Sequence, residues 1–477
     1  MNRIEAGLVP LDSSTGRLVV GVTTLGSAVA MLTSTVVNVA LPTLATDLGA
    51  STAEQQWIIN SYLLTLASLI LIGGSLGDRF GRVRIYRLGV AIFAFASLLC
   101  ALAPNVTVLI LCRLIQGVGG ALLTPGSLAI LEGTLRPADK GRGVGLWSGL
   151  GGLAGAIGPL LGGLLVELSW RWVFVINVPL AIVVWFLARR LPESRDADAL
   201  AHPLDIPGAV LTTVALGGST YGLIEGTREG FATIAAASLV LALGAFIALP
   251  FVESRQKGAL LPIDLFADRA FLGANLVTLL VYAGLGVIFL LLSVQLQVTA
   301  GWSPLFAGAS MLPVTVMLLL FSSWAGGLAQ RIGPRWPLTI GLIIMAAGMM
   351  LFVRADAEAT FLEDVFPAAV VFGAGLALSV APVTSAALAA APASRAGAAS
   401  GVNNAIARAG SLLAIAAIPP LAGLSGDAMS DPEAMAAAFP IAITVSASLV
   451  ASGALVAALL LPSRNRRRTS SPPISLR

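Results

Sequence analysis

The stretch GGSLGDRFGRVRIYR, Gly73 to Arg87, decides the fold. Its last ten residues hold one Asp and four Arg, with glycines on either side. Long apolar runs precede and follow it. A segment so charged cannot lie in hydrocarbon, so it is expected to be a tight turn at a membrane surface between two spanning helices. Gly81 supplies the backbone freedom for the reversal. Asp78 can face a neighbouring helix N-terminus or accept from an arginine.

The rest of the chain agrees with that reading. Of its 477 residues, 57% are hydrophobic and 11% charged, and the mean hydropathy is +0.92. A soluble protein would carry about a quarter charged residues. Several stretches of about 20 residues carry almost no charge, enough to cross a ~30 Å hydrocarbon core as helices. The fold class is therefore an all-α polytopic membrane protein, with the lipid bilayer as its medium. The net charge of +4 does not point to nucleic acid, because the arginines are scattered over short loops. Cys100 and Cys112 fall inside apolar runs and read as packing residues, with no disulfide framework. The first 17 residues are polar and mixed, so no removable signal peptide is expected.

Fourteen spans are expected, at about 18–41, 57–76, 86–103, 106–130, 144–166, 172–188, 206–225, 231–252, 271–297, 304–324, 337–353, 363–388, 401–424 and 438–461. Placing the N-terminus inside puts 23 of the 28 Lys and Arg on the cytoplasmic side and leaves Arg171, Arg228 and Arg354 outside. That asymmetry puts both ends in the cytoplasm of a multi-pass plasma (inner) membrane protein. The other two, Arg113 and Arg408, fall inside spans.

GSLGDRFGRVR from Gly74 returns in degraded form as GGLAQRIGPRW from Gly326. Gly74, Leu76, Arg79 and Gly81 align with Gly326, Leu328, Arg331 and Gly333. The first copy lies between spans 2 and 3, the second between spans 10 and 11. Two repeated six-helix bundles would place the second copy two spans earlier, so two spans are inserted. The organisation is then a cytoplasmic N-terminus (1–17), an N-terminal six-helix bundle (18–188), a cytoplasmic linker (189–205) and two inserted helices (206–252). A second linker (253–270), a C-terminal six-helix bundle (271–461) and an Arg-rich cytoplasmic tail (462–477) complete it.

Four stretches now resemble the fourteen-helix drug:proton antiporter branch of the major facilitator superfamily, in a match that is best over 32–180. The first is the opening loop, with Gly74, Leu76, Asp78, Arg79, Gly81, Arg82 and Arg84 at the family's spacing. The resemblance makes it a conformational latch. The second is CRLIQGVGGALLTPGS, Cys112 to Ser127. Arg113 lies inside a span, where a cation costs about 2.5–3.5 kcal/mol on insertion scales, so it must face a cavity or a partner. The family assigns it to proton or substrate handling, with Gln116 on the same face. The third is GLWSGLGGLAGAIGPLLGG, in which Gly145, Gly158, Pro159, Gly162 and Gly163 fit the family's antiporter motif on its fifth helix. Glycines at such spacing let helices approach closely. The fourth, LTSTVVNVALP from Leu32 to Pro42, departs from the family: Thr33 stands where an Asp is usual. Threonine cannot exchange a proton near neutral pH, so coupling does not carry over there.

The resemblance implies the major facilitator fold, with two pseudo-symmetric six-helix bundles, a central cavity and alternating access. Asn38, Asn60, Tyr62, Arg113, Gln116 and Asn275 are the candidates for a proton and substrate cavity, with Trp57 and Gln295 as further polar positions. Glu132 is a candidate coupling acid, though it can instead pair with Arg79 or Arg82; Glu167 and Glu225 fall nearer the surface. The lone histidine, His202, falls in a loop. No phosphate-binding loop accompanies Lys140 or Lys257, so no ATPase is expected. No metal, cofactor or catalytic group is expected either. The function read here is proton-linked export of drugs or amphipathic metabolites by a protein working as a monomer. A dedicated exporter of one natural product fits the same features. A transporter-like sensor would need a signalling tail that RNRRR and its flanks do not supply.

Overall fold

The computed structural model describes residues 8–196, 204–229, 233–256, 259–392 and 395–463. His202, Lys257 and the Arg-rich segment from Arg464 lie outside them. In a bilayer each backbone polar group must be satisfied within its own segment, and helices do this. The first half holds α1 (Ser14–Leu48), α2 (Thr52–Phe80), α3 (Arg82–Ala101), α4 (Val106–Thr134), α5 (Pro137–Leu168), α6 (Trp172–Val175) and α7 (Asn177–Ala188). Next come α8 (Ile206–Glu229) and α9 (Thr233–Glu253). The second half holds α10 (Arg269–Val298), α11 (Pro304–Ala309), α12 (Leu312–Ile332), α13 (Arg335–Leu351), α14 (Phe366–Ala389), α15 (Ala396–Leu421) and α16 (Pro432–Leu460).

The starts of these helices are written in the sequence. Ser51 and Glu54 cap α2 reciprocally, Asn105 accepts from the Val108 amide at the head of α4, and Asp268 accepts from Ala270 and Phe271 at the head of α10. Twelve helices among the described residues are long and apolar enough to cross a membrane. The expected spans at 172–188 and 206–225 are helical but fall outside that set: the first is short and breaks at Ile176, and the second is diluted by glycine and threonine.

Both copies of the charged repeat adopt one geometry. Gly81 ends α2 at φ 112° and Gly333 ends α12 at φ 90°, a region that L side chains rarely enter. Each glycine amide donates to the carbonyl four residues back, Gly77 and Ala329, at 2.9 Å. The likeness extends into the helices that follow. A side chain at Gly119 would strike Gly89 and Phe93, and one at Gly375 would strike Gly341 and Met345. The small residues thus cross α3 on α4 as they cross α13 on α14. The pairings α1–α5, α2–α4, α3–α4 and α3–α7 recur as α10–α15, α12–α14, α13–α14 and α13–α16. Between the halves, α8 packs on α2 and α15, while α9 packs on α8 and leaves Val240, Leu243, Ile247 and Phe251 exposed.

The two halves meet tightly at the end away from Gly81 and Gly333. There the Thr52 amide donates to Gly426 O (2.8 Å), the Met429 amide to Thr52 Oγ1 (3.0 Å), and Gln55 Nε2 to Ser430 Oγ (3.2 Å). Gln56 Nε2 donates to Ile415 O (2.8 Å) and Gln297 Nε2 to Val39 O (3.0 Å) nearby. At the turn end a cavity separates α2, α4 and α5 from α15. The molecule is closed at one end and open at the other.

Candidate functional site

A central cavity lies on the seam, lined by Ser34, Thr35 and Asn38 of α1, Ile59, Tyr62 and Leu63 of α2, and Arg113 of α4. The second half contributes Tyr282, Leu285, Gly286 and Phe289 of α10, and Arg408, Ser411 and Ile415 of α15. No carboxylate is among these residues. Arg113 is 1% exposed and held from three sides. Its Nε donates to Ile58 O (3.0 Å), one Nη to Gln116 Oε1 (2.7 Å), and its guanidinium lies 4.5 Å from the centre of the Tyr62 ring. Gln116 in turn donates to Ser97 Oγ (2.7 Å), which orients its oxygen toward Arg113. These contacts offset the cost of placing a cation within a span. They also give it one orientation.

The other candidate residues separate. Asn38 lines the cavity with its Oδ1 buried and unpartnered, and Tyr62 lines it beneath Arg113. Gln116 stands behind Arg113 rather than in the cavity wall. Asn60 is fully buried with neither amide atom bonded, outside the lining. Asn275 does not join this cavity: its Nδ2 donates to Phe271 O and its Oδ1 accepts from Asn403, whose amide also reaches Thr278 at 2.8 Å. It ties α10 to α15, because its helix turns that face toward α15. Gln295 likewise donates to Ala355 O, and Trp57 to Glu225 of α8. Thr33 faces Asn177 of α7 at 3.1 Å, a neutral pair directed away from the cavity.

Sequence reasoning missed Arg408, Tyr282 and Phe289. Arg408 carried the same signal as Arg113, a cation inside a span, yet only its packing against the seam shows where it points.

The turn loop forms a compact ionic knot. Arg82 Nε donates to Asp78 Oδ1 at 2.7 Å, with the Asp78 side chain 35% exposed, and Arg82 Nη1 reaches Ala129 O of α4. Gly74 rests against Pro125, Arg79 lies over Phe80, and Arg84 is exposed. Glu193, which sequence reasoning also missed, accepts from the Val83 (2.9 Å) and Arg84 (3.1 Å) amides at the head of α3. A carboxylate there satisfies orphan donors and meets the positive end of the helix. Arg82 thus pairs with Asp78, not with Glu132. Glu132 instead lines the turn-end cavity with Asp78, Arg82 and Lys140. Asp78→Asn should slow the conformational cycle by about fivefold, the effect of one partly exposed charge-assisted bond of ~1 kcal/mol, with substrate affinity nearly unchanged. Pre-steady-state transport and equilibrium binding measured side by side check this; a pure affinity loss would count against a latch.

The glycines of α5 divide between two partners. A side chain at Gly158 would strike Thr35 and one at Gly162 would meet Val36, both on α1. A side chain at Gly163 would lie 2.6 Å from Leu305 Cα of α11, and Gly308 of α11 sits against the Pro159 carbonyl. α5 and α11 therefore interlock across the seam through backbone-to-backbone contact. Gly145 has open space around it and takes no part.

Comparison with known proteins agrees with this architecture. The family described as Major Facilitator Superfamily matches residues 23–415 and 275–475. The chain is 35% identical over 391 residues to the puromycin resistance protein pur8 of Streptomyces alboniger, covering 81% of this chain and 78% of that one. It is 33% identical to the tetracenomycin C resistance and export protein of Streptomyces glaucescens, covering 85% and 76%. Among solved structures, a bacterial homologue of the human lysosomal transporter Spinster, inward-facing and unoccupied, superposes with a TM-score of 0.67 at 17% identity, covering 94% of this chain and 97% of that one. The chain belongs to the Major Facilitator Superfamily, and is a membrane transporter rather than an enzyme.

Proposed function

We propose that the protein exports drugs or amphipathic metabolites across the plasma (inner) membrane by alternating access. The observation that carries this reading is the central cavity. It is lined by both halves, has aromatic and aliphatic walls, and holds fixed polar groups at its centre. Relatives named for antibiotic resistance and export support the substrate class. In this reading fourteen helices span, α8 and α9 being the inserted pair, and the domain boundaries given above hold. The positive-inside pattern puts both termini in the cytoplasm, so the state described here is inward-facing. The interlocked α5 and α11 form the closed outer seal, and the Asp78–Arg82 knot sits at the cytoplasmic mouth. The chain works as a monomer. Proton coupling runs through Glu132, which lines the mouth, since Thr33 offers no acid.

The relatives named for one compound favour a second reading, an exporter dedicated to a single natural product. One experiment tests both. Purified protein in liposomes is offered labelled puromycin, an amphipathic dye and a sugar under an imposed pH gradient. Gradient-driven movement of several unrelated compounds supports multidrug export; movement of one supports the dedicated exporter. Movement unaffected by a protonophore would sink proton coupling.

A further inference from the structure

We propose that the central cavity is an anion site. It takes an amphipathic organic anion whose carboxylate, or similarly acidic oxygen group, sits between Arg113 and Arg408. This deepens the export reading and rests on it.

Three observations carry the inference. The cavity receives one arginine from each half, Arg113 from α4 and Arg408 from α15. Among the described residues no carboxylate lines it; Asp78 and Glu132 line the separate cavity at the turn end. The two arginines also differ in how they are held. Arg113 is fixed by Ile58, Gln116 and Tyr62, whereas Arg408 has no hydrogen bond or ion pair among the described residues, and its Nε is buried without a partner.

Arginine stays charged in proteins, so two guanidinium groups in one low-dielectric space repel each other. A neutral ligand leaves both without a counter-charge, and a cation adds a third like charge. An anion satisfies both, and the planar guanidinium fork matches a carboxylate bidentately. The remaining wall of Ile59, Leu285, Phe289 and Ile415 suits an apolar, ring-containing body. The arrangement also links binding to movement. Closing the cavity over an empty site brings like charges from the two halves together, while a bound anion draws both halves onto one ligand.

The test uses the full-length protein in liposomes with two fluorescent probes, the anion carboxyfluorescein and the cation ethidium. Equilibrium binding by anisotropy and efflux are measured on each. The anion should bind at least about tenfold more tightly than the cation, the effect of one charge-assisted contact. Arg408→Gln should weaken anion binding about 10- to 100-fold and leave ethidium binding unchanged or stronger. Arg408→Lys, which keeps the charge and guards against a folding defect, should recover part of the anion affinity. Ethidium binding more tightly than the anion, or anion binding indifferent to Arg408→Gln, would overturn the proposal, as would binding of neither probe. Arg408-dependent anion binding without efflux of either probe would uphold the site and sink the export reading. Ethidium efflux without anion binding would do the reverse.

Discussion

Arg113→Ala is expected to lower transport at least about 100-fold while the protein still inserts and folds. Two effects compete. Removing a cation from within a span relieves an insertion cost of about 2.5–3.5 kcal/mol, so abundance in the membrane should not fall. Against this stand the lost bonds to Ile58 and Gln116 and the lost stacking on Tyr62. A charge-assisted bond contributes about 1.5–3 kcal/mol and a desolvated cation–π contact about 2 kcal/mol. The loss falls on the site, because Tyr62 and Arg113 line the cavity together. Initial efflux rates at matched protein amounts in liposomes measure the effect. Near-normal transport would refute a role for Arg113 in the cavity.

Gly163→Leu is expected to have a comparable effect by a different route. A β-carbon at Gly163 already meets Pro304 O and Leu305 at distances that real atoms do not adopt, and both are backbone neighbours that cannot swing aside. Overpacking of this kind costs about 1–3 kcal/mol or more, and it falls on the closed seam alone. An alternating-access protein holds its two states within a few kcal/mol, so a penalty of about 3 kcal/mol shifts their ratio more than 100-fold. The seam between α5 and α11 should then open, and the cycle should stall. Labelling of single cysteines placed at Pro304 and Ser303 reads the opening directly: higher reactivity in Gly163→Leu is expected. Unchanged reactivity with normal transport would show that the interlock does not act as a seal. Gly145→Leu is the contrasting variant, since a side chain there meets nothing within 4 Å.

The parts of the machine were unequally legible. The charged turn and its repeat follow from local chemistry, and each closes on a glycine of positive φ, Gly81 and Gly333. The site was legible only in pieces. Arg113 announced itself as a cation within a span, and Asn38 and Tyr62 reached the same cavity. Asn275 had similar sequence credentials but packs against Asn403, and Gln116 serves Arg113 from behind. Arg408 carried the same signal as Arg113 and was left unassigned.

By itself, the sequence determined that this is a helical membrane protein, where its charged turns fall, and that it is built from two related halves. Those properties depend on hydropathy, charge and spacing along one chain, which act within a helix or a turn. Only the tertiary structure decided that Arg113 and Arg408 share one cavity, that no carboxylate among the described residues lines it, and that α5 closes on α11. Each of these depends on how helices far apart in sequence rotate and cross. Steric fit between small residues sets those rotations, and hydropathy does not encode it.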